Sequence, residues 1–234
     1  MAGSDSRVSQ NWLVIVVGGH TRSVGKTQLV CDLIRTLPEA NWIAGKITQY
    51  GHGVCARNGE NCDCAPSEHA AALDWETRND TGTDTARFLA AGAKRSLWLR
   101  TKQGYLAEGL PLLRGALEGV KGMGGQGADN LILESNSLLQ FLRPALYLVA
   151  LDPVREDFKD SARLYLDRAD ALIFRSPLKA GLDGSPGEQP AWGGMPLRLL
   201  QGKESFVQRE GEPLPQSLIE LVRGVLRTGV SGAI

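Results

Sequence analysis

Short continuous apolar runs alternate with amphipathic helical patterns along the whole chain, and this alternation limits the possible folds more than any other feature. The runs are Trp12–Val17, Trp42–Thr48, Arg95–Thr101, Asn130–Ser135, Ala145–Leu151, Ala171–Arg175 and Pro196–Leu200. Most are unbroken, as strands buried on both faces of a parallel sheet require. Helices are predicted between them at Lys26–Leu37, Asp84–Gly92, Tyr105–Val120 and Asp160–Arg168, and after the last run at Pro213–Arg227. Val30, Leu33, Ile34 and Leu37 share one face of the first helix; Leu106, Leu110, Leu113 and Leu117 share one face of the third. The expected fold is α/β, a doubly wound and mostly parallel sheet of about seven strands.

Three segments interrupt the alternation. Gln49–Asp80 holds three cysteines and two histidines, Gly119–Gly127 carries five glycines, and Lys179–Gly194 is rich in Gly and Pro. Loops beyond about 12–15 residues are uncommon unless functional or disordered. Because they lie inside one alternating pattern, they read as excursions from a single domain over residues 1–234, with a cysteine- and histidine-bearing insertion at 49–80 and a Gly/Pro-rich loop at 179–194.

Composition narrows the function. The 26 Lys and Arg balance the 26 Asp and Glu among 234 residues, so no cationic excess is available for general nucleic-acid binding, although a local phosphate site remains open. No apolar run approaches the ~18 residues of a membrane span, and the start MAGSDSRVSQ has no signal-peptide pattern. The expected compartment is the cytoplasm, where the four cysteines would be reduced or bound to metal.

The strongest local signal is WLVIVVGGHTRSVGKTQLVCDLIR. A buried strand enters a glycine pair, a short polar loop, then Gly25-Lys26-Thr27 and an amphipathic helix, which is the context a phosphate-binding P-loop needs. Loop N–H groups form a nest for phosphate oxygens, and the helix start adds unpaired donors. The predicted nucleotide-binding residues are Gly19, His20, Thr21, Arg22, Ser23, Val24, Gly25, Lys26, Thr27 and Gln28. Lys26 is expected on the β- and γ-phosphates and the Thr27 hydroxyl on Mg²⁺. The pattern G-x-x-x-x-G-K-T wants glycine at position 20, where this chain has His20. Gly18 and Gly19 just before it are consistent with a loop one residue longer. His20 itself is expected to be a backbone-bonded loop residue. Arg22 is equally a phosphate contact, a contribution to a neighbouring subunit's site, or a solvated loop side chain.

Ligands of parallel sheets collect at the carboxyl ends of the strands. Glu134 ends the run NLILES and Asp152 ends ALYLVALD. A carboxylate there can hold Mg²⁺ or orient an attacking water. Asp152-Pro153 reads equally as a turn opener. Asp84, in TGTDTARFLAAGA, sits in the first turn of a helix capped by Thr81 or Thr83. The candidate catalytic residues are Lys26, Glu134 and Asp84, with Thr27 and Asp84 as candidate Mg²⁺ ligands.

The stretches GGHTRSVGKTQLVCDLI, GKITQYGHG, TGTDTARFLAAGA and LILES, in that order, resemble the MobB-like family of molybdenum-cofactor biosynthesis, which belongs to the SIMIBI class of P-loop NTPases. The resemblance spans about residues 11–150. Lys46 matches the lysine of the family's Lys-His-x-His stretch, and His52 roughly matches a histidine. Asp84 and Thr85 match the acid and hydroxyl that open the helix before Ala-Gly-Ala, and Glu134 matches the Walker-B-like glutamate. The resemblance implies a GTP-binding, often dimeric protein with low intrinsic turnover. The chain departs from the family at His20, at Ile47-Thr48-Gln49, at Ser135 in place of glycine, and in its cysteine-bearing insertion. It has no Asn-Lys-x-Asp guanine-reading motif; Arg175-Ser176-Pro177-Leu178 stands where one is expected.

His52, Cys55, Cys62, Cys64 and His69 pack three thiols and two imidazoles into 18 residues. Thiolates with an imidazole suit tetrahedral Zn²⁺, with His52 or His69 as the fourth ligand. A loop of reduced thiols is the alternative. Cys31, among apolar helix neighbours, is expected in the core, and Trp192 as a loop anchor against it. Four functions fit these residues: a nucleotide-driven accessory protein of cofactor assembly, with GTP before ATP; a metal-delivery GTPase; an ATP-dependent small-molecule kinase or ligase; and an adaptor without useful turnover. The expected partners are a nucleoside triphosphate, a protein of cofactor or metal assembly and a second copy of the chain, with no nucleic acid and no membrane.

Overall fold

Val14, Ile15, Val16 and Val17 are completely buried. A β-branched run with no polar break forms a strand that needs cover on both faces. The computed structural model, which describes residues 12–50, 70–121, 130–177, 190–192 and 197–229, supplies that cover. In chain order the elements are β1 (Val14–Gly19), α1 (Lys26–Thr36), β2 (Trp42–Tyr50), β3 (Ala71–Trp75), α2 (Asp84–Ala90), β4 (Arg95–Lys102), α3 (Leu106–Lys121), β5 (Asn130–Glu134), β6 (Leu146–Leu151), α4 (Asp160–Arg163), β7 (Ala171–Phe174), β8 (Glu204–Val207) and α5 (Gln216–Thr228).

The fold is α/β, and the described residues form one eight-stranded sheet in the order β3-β4-β2-β5-β1-β6-β7-β8. Every pair is parallel except β3–β4. Two apolar cores flank it. Leu106, Leu110, Leu113 and Leu117 of α3 pack with Val14, Val16, Leu131 and Leu133 on one face. On the other, α1, α2 and α5 bring Leu29, Leu33, Phe88, Leu218 and Val222 against Ile15, Val17 and Ile132. β1 lies mid-sheet. The chain runs from it to β2 on one side and later adds β6, β7 and β8 on the other, so the direction of winding reverses beside β1. Crevices open at the carboxyl ends of strands at such reversals. No helix among the described residues is long and apolar enough to cross a membrane.

Three expectations are corrected. Among the described residues the sheet has eight strands, because the Gln49–Asp80 stretch contains the end of β2 and the antiparallel edge strand β3. The last parallel strand is Glu204–Val207; the apolar run Pro196–Leu200 instead holds a 3-10 turn at Leu197–Leu199. The helix expected over Asp160–Arg168 is one α-helical turn followed by a 3-10 turn at Leu166–Arg168.

Candidate functional site

The loop from β1 to α1 is shaped by its backbone. Ser23 and Gly25 take positive φ, 53° and 87°. Gly25 caps α1 in the left-handed conformation, and its carbonyl accepts the Leu29 N–H at 2.9 Å. A Cβ on Gly25 would stand 2.7 Å from the Arg175 guanidinium, so the glycine serves both the turn and the close approach. Asn136 pins the loop from below: its side chain accepts the Gly19 N–H and donates to the Gly19 carbonyl, each at 2.9 Å.

Lys26 folds across the loop, its ammonium donating to the Thr21 carbonyl at 2.9 Å. Burial lowers its pKa. Thr27, next on α1, donates its hydroxyl to Glu134 at 2.7 Å. Strand register explains the meeting. Glu134 on β5 lies beside Val17 of β1 on one side and Lys46 of β2 on the other. The Lys46 ammonium is 3.4 Å from Glu134 and closer still to Asp84. Burial works against that ammonium, but Glu134 and Asp84 outweigh it and hold its pKa above the ordinary lysine value. The sequence-predicted Lys26, Thr27, Asp84 and Glu134 are thus brought together.

Asp84 is placed by a side chain that sequence reasoning missed. Glu76 accepts the Thr83 and Thr85 hydroxyls at 3.0 and 2.9 Å, and the Thr77 and Arg78 N–H groups at 3.1 Å. Partial burial alone would raise the Glu76 pKa; these bonds outweigh it and leave the value lowered. Thr83 caps α2 by accepting the Ala86 N–H, so Glu76 braces the residues on either side of Asp84. A polar chain continues around α1. Arg87 donates to Gln28, Gln28 to Asp32, Gln208 to Asp32, and Arg175 to Gln208. Its members are 150 or more positions apart in the extreme, so no local motif announces it.

A cleft of about 1220 Å³ runs along the carboxyl edge of the sheet. Arg22, Ser23, Val24, Gly25, Lys26, Thr27 and Gln28 form its floor, with Lys46, Asp84 and Glu134 on one side and Asp152, Lys159 and Arg175 on the other. Gly19, His20 and Thr21 do not line it. His20 is fully buried: its N–H donates to the Ala150 carbonyl, its carbonyl accepts the Lys159 N–H at 2.8 Å, and its imidazole packs on Phe158 and Trp192 with ring centroids 5.1 and 5.5 Å away. The backbone-bonded reading of His20 matches this placement. Burial lowers its pKa, and neither ring nitrogen has a hydrogen-bond partner among the described residues.

Asp152 accepts the Val154 N–H and the Ser176 hydroxyl, as a turn-opening residue does, while lining the cleft. Trp192 is buried and donates to the Asp152 carbonyl at 2.9 Å, an anchor as expected. Cys31 is in the core, its thiol pushed up to about 11 by burial. His52, Cys55, Cys62, Cys64 and His69 lie outside the described residues. Among the described residues, no group of three or more His, Cys, Asp or Glu side chains is gathered as a metal cage. Asp84 and Glu134 are gathered around the Lys46 ammonium instead.

No protein-family model matches this chain, and no curated protein or solved structure matches it significantly.

Proposed function

We propose that the chain is a SIMIBI-type P-loop NTPase that binds a Mg²⁺-nucleoside triphosphate in this cleft and hydrolyses it slowly. The observation that carries the reading is the Thr27–Glu134 hydrogen bond at the start of α1, beside a lysine laid across a loop with left-handed glycine. The Thr27 hydroxyl and the Asp84 and Glu134 carboxylates are hard oxygen donors of the kind Mg²⁺ takes alongside phosphate. The two carboxylates already hold one cation, the Lys46 ammonium, and Thr27 is bonded to one of them, so the set has the anionic oxygen chemistry a metal ion needs. Thr27 and Asp84 would hold Mg²⁺, which supplies charge neutralisation at the phosphate oxygens. Lys26 would exchange the Thr21 carbonyl for a phosphate, and Glu134 would orient the attacking water. Both carboxylates are tied to Lys46, which restrains either from acting as a base and supports a low turnover.

Guanine before adenine rests on the MobB-like resemblance and on Arg175. Its guanidinium faces the cleft and has only donors, suiting the O6 and N7 acceptors of guanine better than the amino group of adenine. An accessory role in molybdenum-cofactor assembly, with a protein partner and a homodimeric state, rests on the resemblance alone. Metal delivery by the cysteine segment is the second reading, carried by the thiol and imidazole spacing at 52–69, and zinc content of the purified protein tests it.

The deciding experiment is a titration with non-hydrolysable GTP and ATP analogues, with and without Mg²⁺, for the wild type and Lys26→Ala. The expected result is Mg²⁺-dependent binding, tighter for the GTP analogue and weakened about a hundredfold or more in the variant. Binding of neither analogue, or equal binding by Lys26→Ala, overturns the reading. Tighter binding of the ATP analogue would redirect it to a kinase or ligase.

A further inference from the structure

Three consecutive residues of the segment between β6 and α4 grip the loop from β1 to α1. Asp157 accepts the Thr21 hydroxyl. Phe158 packs on the His20 imidazole. Lys159 donates its N–H to the His20 carbonyl at 2.8 Å. The backbone of Lys159 is therefore fixed to the very loop that carries Lys26, although 133 positions separate the two lysines in sequence. Both side chains line the same cleft.

The Lys159 ammonium has no hydrogen-bond or ion-pair partner among the described residues. Lys26 and Arg22 line the same cleft and repel it, while Asp157 and Glu134 attract it. Burial, then Lys26 and Arg22, push its pKa down to about 8. Asp157 is engaged by Thr21, and Glu134 by Thr27 and Lys46, while the cleft as a whole is lined by seven Lys and Arg against five Asp and Glu, so it is short of negative charge. A polyphosphate chain supplies that charge, and a lysine offers it a point contact.

We propose that Lys159 is a second phosphate-binding lysine, placing its ammonium on the polyphosphate of the bound nucleotide from the side of the cleft opposite Lys46. This rests on the nucleotide reading above and adds a residue to it. The β6–α4 segment then has a reason for its close attachment to His20 and Thr21: it delivers a cation to the loop from outside the strand–loop–helix unit.

The test uses inorganic tripolyphosphate, which lacks base and sugar, with the full-length wild type, Lys26→Ala, Lys159→Met and Lys159→Arg. Calorimetry at neutral pH should show Lys159→Met weakening binding by about ten- to hundredfold, the loss of one charged hydrogen bond. Lys159→Arg should retain most of the affinity. In the wild type, tripolyphosphate should protect the Lys159 amine from acylation at pH 8, read by peptide mass spectrometry. This second readout does not depend on any variant folding. Wild-type affinity in Lys159→Met, or an unprotected Lys159 amine, overturns the role of Lys159 while the Lys26-dependent binding leaves the nucleotide site standing. Absence of tripolyphosphate binding by the wild type overturns both.

Discussion

Glu134 divides its carboxylate between two strangers in sequence: one oxygen accepts the Thr27 hydroxyl at 2.7 Å, and the other faces the Lys46 ammonium at 3.4 Å. The charge of Glu134 therefore matters more than its shape. Glu134→Gln keeps an acceptor for Thr27 and leaves Lys46 paired with Asp84. The expected result is a melting temperature near that of the wild type and a GTP hydrolysis rate lower by about a hundredfold, the scale of a lost water-orienting group. Phosphate-release kinetics with saturating nucleotide check it, and an unchanged rate would remove Glu134 from the chemistry.

Lys46 neutralises two carboxylates that are mostly shielded from solvent. Lys46→Met leaves buried Glu134 without its ion pair and Asp84 with Arg87, 3.6 Å away, as its remaining counter-charge. Breaking a buried pair by removing one member costs about 3 kcal/mol or more. The expected outcome is a clear fall in melting temperature that millimolar Mg²⁺ partly reverses, because the freed carboxylates would accept the ion. A melt insensitive to Mg²⁺ would argue against these carboxylates as its ligands.

Gly25 combines φ of 87° with contact to Arg175. An L side chain in this region costs about 1–2 kcal/mol. Gly25→Ala should lower the melting temperature by roughly 4 °C in a chain of this size and weaken nucleotide binding. The double variant Gly25→Ala/Arg175→Ala separates the causes. Backbone strain predicts no rescue, since the flexible Arg175 side chain can move aside at little cost. Recovery of stability in the double variant would assign the effect to the collision instead.

His20 is buried, neither ring nitrogen is partnered among the described residues, and its folded pKa lies below the ordinary 6.5. The sign follows from linkage. Above 6.5 the imidazole is neutral in both states and its packing is fully stabilising. As pH falls through 6.5 the unfolded chain takes up the proton first, and stability drains away down to the folded pKa. Chemical denaturation between about pH 7 and pH 5 should show His20→Phe losing less stability than the wild type. Equal losses would place the acid sensitivity elsewhere.

The parts of the site within one short stretch were legible in the sequence. Strand, glycines, Lys26 and Thr27 are contiguous, and their spacing carries their geometry. Glu134 and Asp84 were legible as a carboxylate closing a buried run and an acid opening a helix, though not as partners of a single ammonium. Edge strands were less visible. β3 and β8 are half-exposed, Glu204–Val207 reading exposed, exposed, buried, exposed, so neither shows the continuous apolar run that marks a central strand. The apolar Pro196–Leu200 stretch matched the pattern of a strand in place of β8, because leucines of a turn packed against the core and leucines of a buried strand look alike in sequence.

Asn136, Glu76, Lys159, Arg175 and Gln208 carry no signal of their own, being ordinary polar residues at loop or strand ends. Hydrophobic periodicity by itself determined the α/β alternation and the central strands, since burying apolar surface on both faces of a sheet leaves a pattern along the chain. Local spacing determined the loop that enters α1. Only the tertiary structure decided that Lys46 stands between Asp84 and Glu134, that His20 turns inward onto Phe158 and Trp192, and that Lys159 is fastened beside Lys26. Those relations depend on strand register and on crossovers that bring together residues from 38 to more than a hundred positions apart, and hydrogen bonds and ion pairs over such separations leave no periodic trace in the chain.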